Sequence, residues 1–125
     1  GANDYKAHWL GWEAKDFTLT LDLGEITEAK DISISTLYDP KSWILHPTAV
    51  NCFVSADGTK FQEIGKQLVT GDQKSEDVTR DFYFLNPTGK TRFVKFSITG
   101  TKTLPAWHPS AGGDSWVFVD EIVVR

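Results

Sequence analysis

The sequence predicts an all-β fold, an antiparallel β-sandwich or jelly roll, on three observations. Strand-favouring residues are abundant, with 13 Thr, nine Val and seven Ile against eight Ala and no Met. Apolar and polar residues alternate over short runs separated by Gly, Pro, Asn and Asp. No stretch of 11 or more residues keeps the spacing of an amphipathic helix.

The elements follow in chain order. Asp16–Gly24 reads DFTLTLDLG, with Phe17, Leu19, Leu21 and Leu23 alternating against Thr18, Thr20 and Asp22, the period of a half-buried strand. A second strand is predicted over Lys30–Leu37, where Ile32 and Ile34 alternate with Ser33 and Ser35. A third covers Val50–Ser55 and directs Val50, Cys52 and Val54 to one face. Ala56-Asp57-Gly58 is a tight-turn signal, so Phe61–Ile64 is the return strand of a hairpin. Asp81–Leu85, Arg92–Thr99 and Trp116–Val124 complete the set.

Length and charge bound the function. A chain of 125 residues, 40% apolar, builds one domain with one core, so residues 1–125 are read as a single module excised from a larger protein. The net charge is −4 with no run of like charges, which argues against nucleic acid and anionic membranes as partners. No apolar run is long enough to insert in a membrane as a helix. The single cysteine excludes an internal disulfide and a CxxC metal knuckle.

Enzymatic readings find little support. Cys52 points inward and makes a poor nucleophile. His8, His46 and His108 form no HxH or HxxxH pair for zinc. No spacing suggests two carboxylates facing each other across a glycosidase cleft. The module is therefore expected to be non-catalytic.

A binding reading fares better. The long connections Tyr38–Pro47 and Gly100–Ser115 gather Trp43, Trp107, His46 and His108 among prolines and glycines. Trp107 and His108 lie between Pro105 and Pro109, which restrict the loop that displays them. An exposed indole offers a flat apolar platform for the C–H face of a sugar, and imidazole or carboxylate groups nearby can bond to its hydroxyls. Trp107, His108, Trp43, His46, Asp39 and Asp114 supply those groups and form the candidate carbohydrate site. Large aromatics also serve as buried anchors at the ends of sandwiches, and that alternative stands for Trp43 and Trp116. Asn3-Asp4 and Asp120-Glu121 form a further cluster of hard oxygens if the termini are adjacent. By spacing alone they are better read as carboxylates that are solvated or paired with lysine.

The strings WLGW (Trp9–Trp12), DFTLTLDLG, VNCFVSADGTKFQEIG, TRFVKFSI and WHPSAGGDSWVFVDEIVV resemble, in that order, a coagulation-factor V/VIII type C (discoidin) domain. That family overlaps the family 32 carbohydrate-binding modules. Its recurrent marks are the SxDGxxF turn (Ser55–Phe61), the RxVK strand (Arg92–Lys95) and the closing DEIVV. NDY near the start and PAWHPSAGGDSWVFVDEI near the end resemble the C-terminal module of Bacteroides-type family 20 β-N-acetylhexosaminidases, the chitobiases.

The resemblance implies a galactose-binding-domain-like jelly roll carried by a secreted, periplasmic or cell-surface bacterial glycosidase. The implied ligand is a glycan ending in galactose or an N-acetylhexosamine. It further implies a structural Ca2+ held by the Glu121 carboxylate, the Asp120 carbonyl and the early-loop residues Asn3 and Asp4, although Ala7 stands where the family carries Thr. The isolated module is expected to be monomeric. Packing on the parent catalytic domain without sugar binding is the competing reading.

Overall fold

Along Lys90–Thr99 the side chains of Val94, Phe96 and Ile98 are buried while their neighbours are partly exposed, and the same alternation runs through most of the molecule. The computed structural model describes the backbone of residues 10–13 and all of residues 16–125. Its strands are β1 (Leu10–Glu13), β2 (Phe17–Glu28), β3 (Asp31–Leu37), β4 (Ala49–Ser55), β5 (Gln62–Leu68), β6 (Thr79–Leu85), β7 (Lys90–Thr99) and β8 (Trp116–Val124). They form two four-stranded antiparallel sheets, ordered β1-β8-β3-β6 and β2-β7-β4-β5. Apart from the β4–β5 hairpin, every connection crosses from one sheet to the other. The expected sandwich is therefore the observed one.

Both sheets contribute to one core. Ile32, Ile34, Phe82, Phe84, Val119, Ile122 and Val124 come from the first, and Val50, Cys52, Val54, Val94, Phe96 and Ile98 from the second. Phe84 and Phe96 meet between the sheets with centroids 6.3 Å apart and planes tilted by 55°. Gly65 on β5 makes room for this pair, because a Cβ there would stand 2.8 Å from the Phe84 ring. Cys52 is fully buried, and burial pushes its thiol up to about 12, so it serves as a small core residue.

Two departures from regular pairing matter. The sequence predicts that β2 ends at Gly24, but the strand continues to Glu28. Gly24 takes a positive φ of 91° inside a register shift between Asp22 and Thr27, and the Asp22 carboxylate accepts its N–H at 2.8 Å. The glycine thus bends a strand that the turn signal suggested it would stop. In β8, Ser35 pairs with Glu121 and Thr36 with Val119, which leaves Asp120 as the extra residue of a bulge. Asp120 and Glu121 both leave the buried face, which Val119 and Ile122 hold on either side.

The β3–β4, β5–β6 and β7–β8 connections share one end of the sandwich. Backbone bonds join them there, among them Tyr38 N–H to the Val78 carbonyl, Val69 N–H to Thr48 and Leu45 N–H to Trp116. The β2–β3, β4–β5 and β6–β7 turns and Arg125 lie at the other end, tied by Lys30 N–H to Arg125 and Ala29 N–H to Gly89.

The close fit at Gly65 gives a stability test. Gly65→Ala should press on Phe84 and cost ~1–3 kcal/mol, read as a lower midpoint in urea denaturation. Restoration of most of that loss by Phe84→Leu in the same chain would identify the ring contact as its source.

Candidate functional site

Three connections build the loop end, and buried polar groups hold them together. In the β3–β4 connection, Asp39 and Ile44 exchange backbone bonds at 2.9 and 3.0 Å around a short 3-10 turn, Pro40–Ser42. Trp43 ends that turn in the left-handed region, φ 65°, and its N–H reaches the Pro40 carbonyl at 3.1 Å. The conformation is uncommon for a residue with a Cβ, and it turns the indole outward, leaving Trp43 39% exposed. Trp116 N–H fixes the position by donating to the Trp43 carbonyl at 2.8 Å.

The β7–β8 connection closes on itself through Gly112 N–H to the Leu104 carbonyl and Leu104 N–H to the Gly113 carbonyl. Inside this closure, His108 N–H bonds to the Pro105 carbonyl at 3.0 Å. His108 then links two loops. Its Nδ1 accepts from Ser110 N–H at 2.9 Å, which places the ring proton on Nε2, and Nε2 donates to the Pro40 carbonyl at 2.6 Å. Trp107 packs on the buried cluster of Tyr38, Leu45 and Leu104, and its indole N–H donates to the Asp72 carbonyl at 2.6 Å. Trp107 thereby ties the third connection, residues 69–78, to the second.

Trp43 and Trp107 border an open hollow of about 350 Å³, completed by Pro40, Lys41, His108, Pro109 and Ser110. Gly113 sits beneath it; a Cβ there would meet the Trp43 ring at 3.4 Å and the Ser110 carbonyl at 3.1 Å. Of the six residues predicted for the carbohydrate site, Trp43, Trp107 and His108 converge here. The other three do not line the hollow.

His46 requires a correction. It is 1% exposed, stacked on Tyr38 with centroids 5.6 Å apart, and both ring nitrogens are bonded. Nε2 donates to the Asp77 carbonyl at 2.8 Å and Nδ1 accepts from the Thr36 hydroxyl at 2.8 Å, so the ring has no group left for a ligand hydroxyl. Asp39 turns to its own loop, accepting from the Ser42 hydroxyl at 2.9 Å, and Asp114 lies in a bridge with Thr103. Lys41 and Ser110 line the hollow without having been singled out from the sequence. Their only signal was adjacency, Lys41 two positions before Trp43 and Ser110 two after His108.

For the proposed calcium set, the bulge turns Asp120 and Glu121 to the outer face of β8, where Glu121 borders a polar hollow with Ser33, Ser35 and Asp81. Asn3 and Asp4 lie outside the described residues, as does His8. Among the described residues, no three His, Cys, Asp or Glu side chains converge in a way that would hold a metal ion.

The loop end of the jelly roll thus sets two indoles around an open hollow. The chain matches the family model of the F5/8 type C domain over residues 1–113, and it belongs to that family. No curated protein sequence matches it. Among solved structures, it is similar to CpGH89CBM32-5 from Clostridium perfringens, solved in complex with GalNAc-β-1,3-galactose, with a TM-score of 0.57 and 18% identity over 92% of this chain and 75% of that one. It is similar to CBM32-3 of a family 31 glycoside hydrolase from Clostridium perfringens, with a TM-score of 0.57 and 10% identity over 98% and 75%. The C-terminal domain of a chitobiase from Bacteroides fragilis aligns with a TM-score of 0.49 and 18% identity over 89% and 66%. At these identities the two likenesses with TM-scores of 0.57 show the fold alone. No helix among the described residues is long and apolar enough to cross a membrane.

His46 sets a pH dependence for the loop end. Burial lowers its pKa below the usual histidine value, against the raising effect of the Asp77 carbonyl and of Glu76. The unfolded chain, titrating near 6.5, therefore binds more protons than the folded one, and stability falls as pH drops below about 6.5. The melting temperature should decline between about pH 7 and about pH 5.5, and His46→Gln should flatten that slope. An unchanged slope in the variant would place the titration elsewhere.

Proposed function

We propose that this domain is a carbohydrate-binding module that takes a sugar ring against the indoles of Trp43 and Trp107. The observation that carries the reading is the fixed pair of aromatic platforms around a hollow large enough for a monosaccharide. Trp107 is locked by Asp72 and by its apolar neighbours, and the backbone of Trp43 is set by the turn behind it. The Trp107 indole does not have to be ordered when a ligand arrives, so less conformational entropy is lost on binding.

The ligand we propose is a terminal galactose or N-acetylhexosamine residue of a glycan. Contact with one sugar buries little area and exchanges water bonds for protein bonds at small net gain, which sets Kd on the order of 0.1–1 mM. Such affinity suits a module tethered to an enzyme, where a second contact raises the local substrate concentration. The parent we propose is a secreted or surface-bound bacterial glycoside hydrolase of the chitobiase type. The resemblance of the closing segment to chitobiase modules supports this choice. A second reading, docking on the parent catalytic domain, is favoured by the exposed Tyr83 and Leu85 of β6 with Leu68 of β5 nearby.

Trp43→Ala tests the platform without disturbing the core. It should weaken sugar binding by about tenfold or more, read from NMR titration, while the melting temperature stays within a few degrees of wild type. Undiminished binding in this folded variant would remove Trp43 from the site.

We also propose a structural Ca2+ held by the Glu121 carboxylate and the Asp120 carbonyl. The bulge that frees both residues from the buried face supports this. Calcium takes six to eight oxygens, more than these two residues supply, so Asn3 and Asp4 are needed to complete the set. Adding millimolar Ca2+ to chelator-treated protein should raise the melting temperature, and Glu121→Gln should abolish the rise. A melting temperature indifferent to calcium would exclude the ion.

A further inference from the structure

We infer that the sugar taken by the Trp43–Trp107 hollow carries an anionic substituent, a carboxylate or a sulfate ester, which Lys41 and Ser110 bind. The inference rests on the carbohydrate-binding reading and concerns the same site. It follows from a count of the hydrogen-bonding groups that remain open there.

Most polar groups around the hollow are already committed. Both nitrogens of His108 are bonded, at 2.6 and 2.9 Å, and so is the Trp107 indole N–H, at 2.6 Å. The Pro40 carbonyl accepts from His108 and from Trp43 N–H, which fills its two lone pairs. The remaining side-chain groups are the Lys41 ammonium, the Ser110 hydroxyl and the Trp43 indole N–H. None of the three bonds to another described residue. The first and last are donors only, and the hydroxyl donates or accepts.

The carboxylates that sequence reasoning assigned to this site do not line it, and no acidic residue among the described ones does. A sugar hydroxyl both donates and accepts, and of the three open side-chain groups only the Ser110 hydroxyl can take its proton. The Lys41 side chain is exposed and forms no ion pair with another described residue, so its charge is open to a partner of opposite sign. A carboxylate or sulfate suits these open groups: it has only acceptors, and its hydrogen bonds to an ammonium are charge-assisted. The ring that carries it can lie across the indoles while the anion reaches Lys41. Because the whole chain carries a net charge of −4, the long-range field does not favour an anion, and any preference must come from this local contact.

A second hollow, of about 310 Å³ at the opposite end of the sandwich, provides the control. It is lined by Lys60, Lys90, Ile26 and Ser55 among others. Neither lysine forms an ion pair with another described residue. Substituting Lys90 changes the net charge of the protein as much as substituting Lys41 does, but it leaves the aromatic hollow untouched.

The experiment titrates the 125-residue chain with galactose, galacturonate and galactose 6-sulfate at low ionic strength, following backbone amide and indole NMR shifts. At least one anionic sugar should bind about fivefold or more tightly than galactose, with shifts at the Trp43 indole and Lys41 amide. Lys41→Gln should erase that advantage and Lys90→Gln should keep it. Which anion gains more distinguishes a carboxylate ligand from a sulfate ester. Equal binding of all three sugars, unaffected by Lys41→Gln, overturns the inference and leaves the aromatic platform standing. An anionic advantage that survives Lys41→Gln but disappears in Lys90→Gln also overturns it, because the anion then binds at the other end. If no sugar shifts either indole, the inference falls together with the carbohydrate reading.

Discussion

The carboxamide of Gln73 clasps the backbone of His46, and the loop end depends on that clasp. Its oxygen accepts from His46 N–H and its nitrogen donates to the His46 carbonyl, both at 2.9 Å, as a paired strand would. Gln73 is 5% exposed and holds a left-handed φ of 55°, a conformation repaid only if the bonds it permits are made. The Tyr38 hydroxyl then donates to the Gln73 carbonyl at 2.7 Å, and His46 bonds onward to Asp77. Between the backbone bonds at its two ends, the segment of residues 69–78 is thus fixed to the β3–β4 connection by side chains rather than by a sheet. Leaving one such buried group unpaired costs about 1–3 kcal/mol, which explains why the network is closed throughout. No buried side-chain polar atom among the described residues lacks a partner.

That network reaches the surface through Trp107. Its indole N–H ends on the Asp72 carbonyl, one residue before Gln73, and its ring rests on Tyr38, Leu45 and Leu104. His108, next in sequence, joins the same loop to Pro40. Histidines that looked like ligand contacts are instead the fasteners that hold the tryptophans. The division of labour is physical. Imidazole can bond in two directions at once and so can bridge loops, whereas an indole has one polar atom and a broad apolar face left for a ligand.

The sequence marks of the F5/8 type C family turn out to be marks of scaffold. In the SxDGxxF turn, the Ser55 hydroxyl accepts Gly58 N–H at 2.9 Å, and the Asp57 carboxylate accepts the N–H groups of Thr59 and Lys60. Those donors also hold the Asp57 carboxyl below its ordinary pKa. Gly58, φ 78°, lies against the Phe93 ring, where a Cβ would come within 2.9 Å. Phe61 takes the Lys95 ammonium 4.2 Å from its ring centroid. The RxVK strand therefore packs directly on the turn that precedes it in sequence, and the two motifs stabilise one another at the end away from the tryptophans. The family marks quoted from the sequence thus lie in the sandwich and in the end away from the tryptophans.

How much of this was legible depends on whether the signal is periodic. Trp116–Val124 and the inward set of Val50, Cys52 and Val54 could be read directly, because burial on one face of a strand imposes a two-residue repeat that any sequence must display. Gly24 misled, since a glycine that allows a positive φ serves a bulge as readily as a turn, and only pairing with β7 decides between them. β1 was not singled out as a strand, because four residues are too few to establish alternation. The site divided along the same line. Proline-flanked Trp107 was visible as a displayed aromatic, but the burial of His46 depends on Thr36, Gln73 and Asp77, which lie on other segments. Sequence by itself determined the sandwich, the inward cysteine and the loops in which the aromatic residues gather. The tertiary structure decided which of their polar groups are bonded within the fold, because hydrogen bonds between loops distant in sequence leave no periodic trace in it.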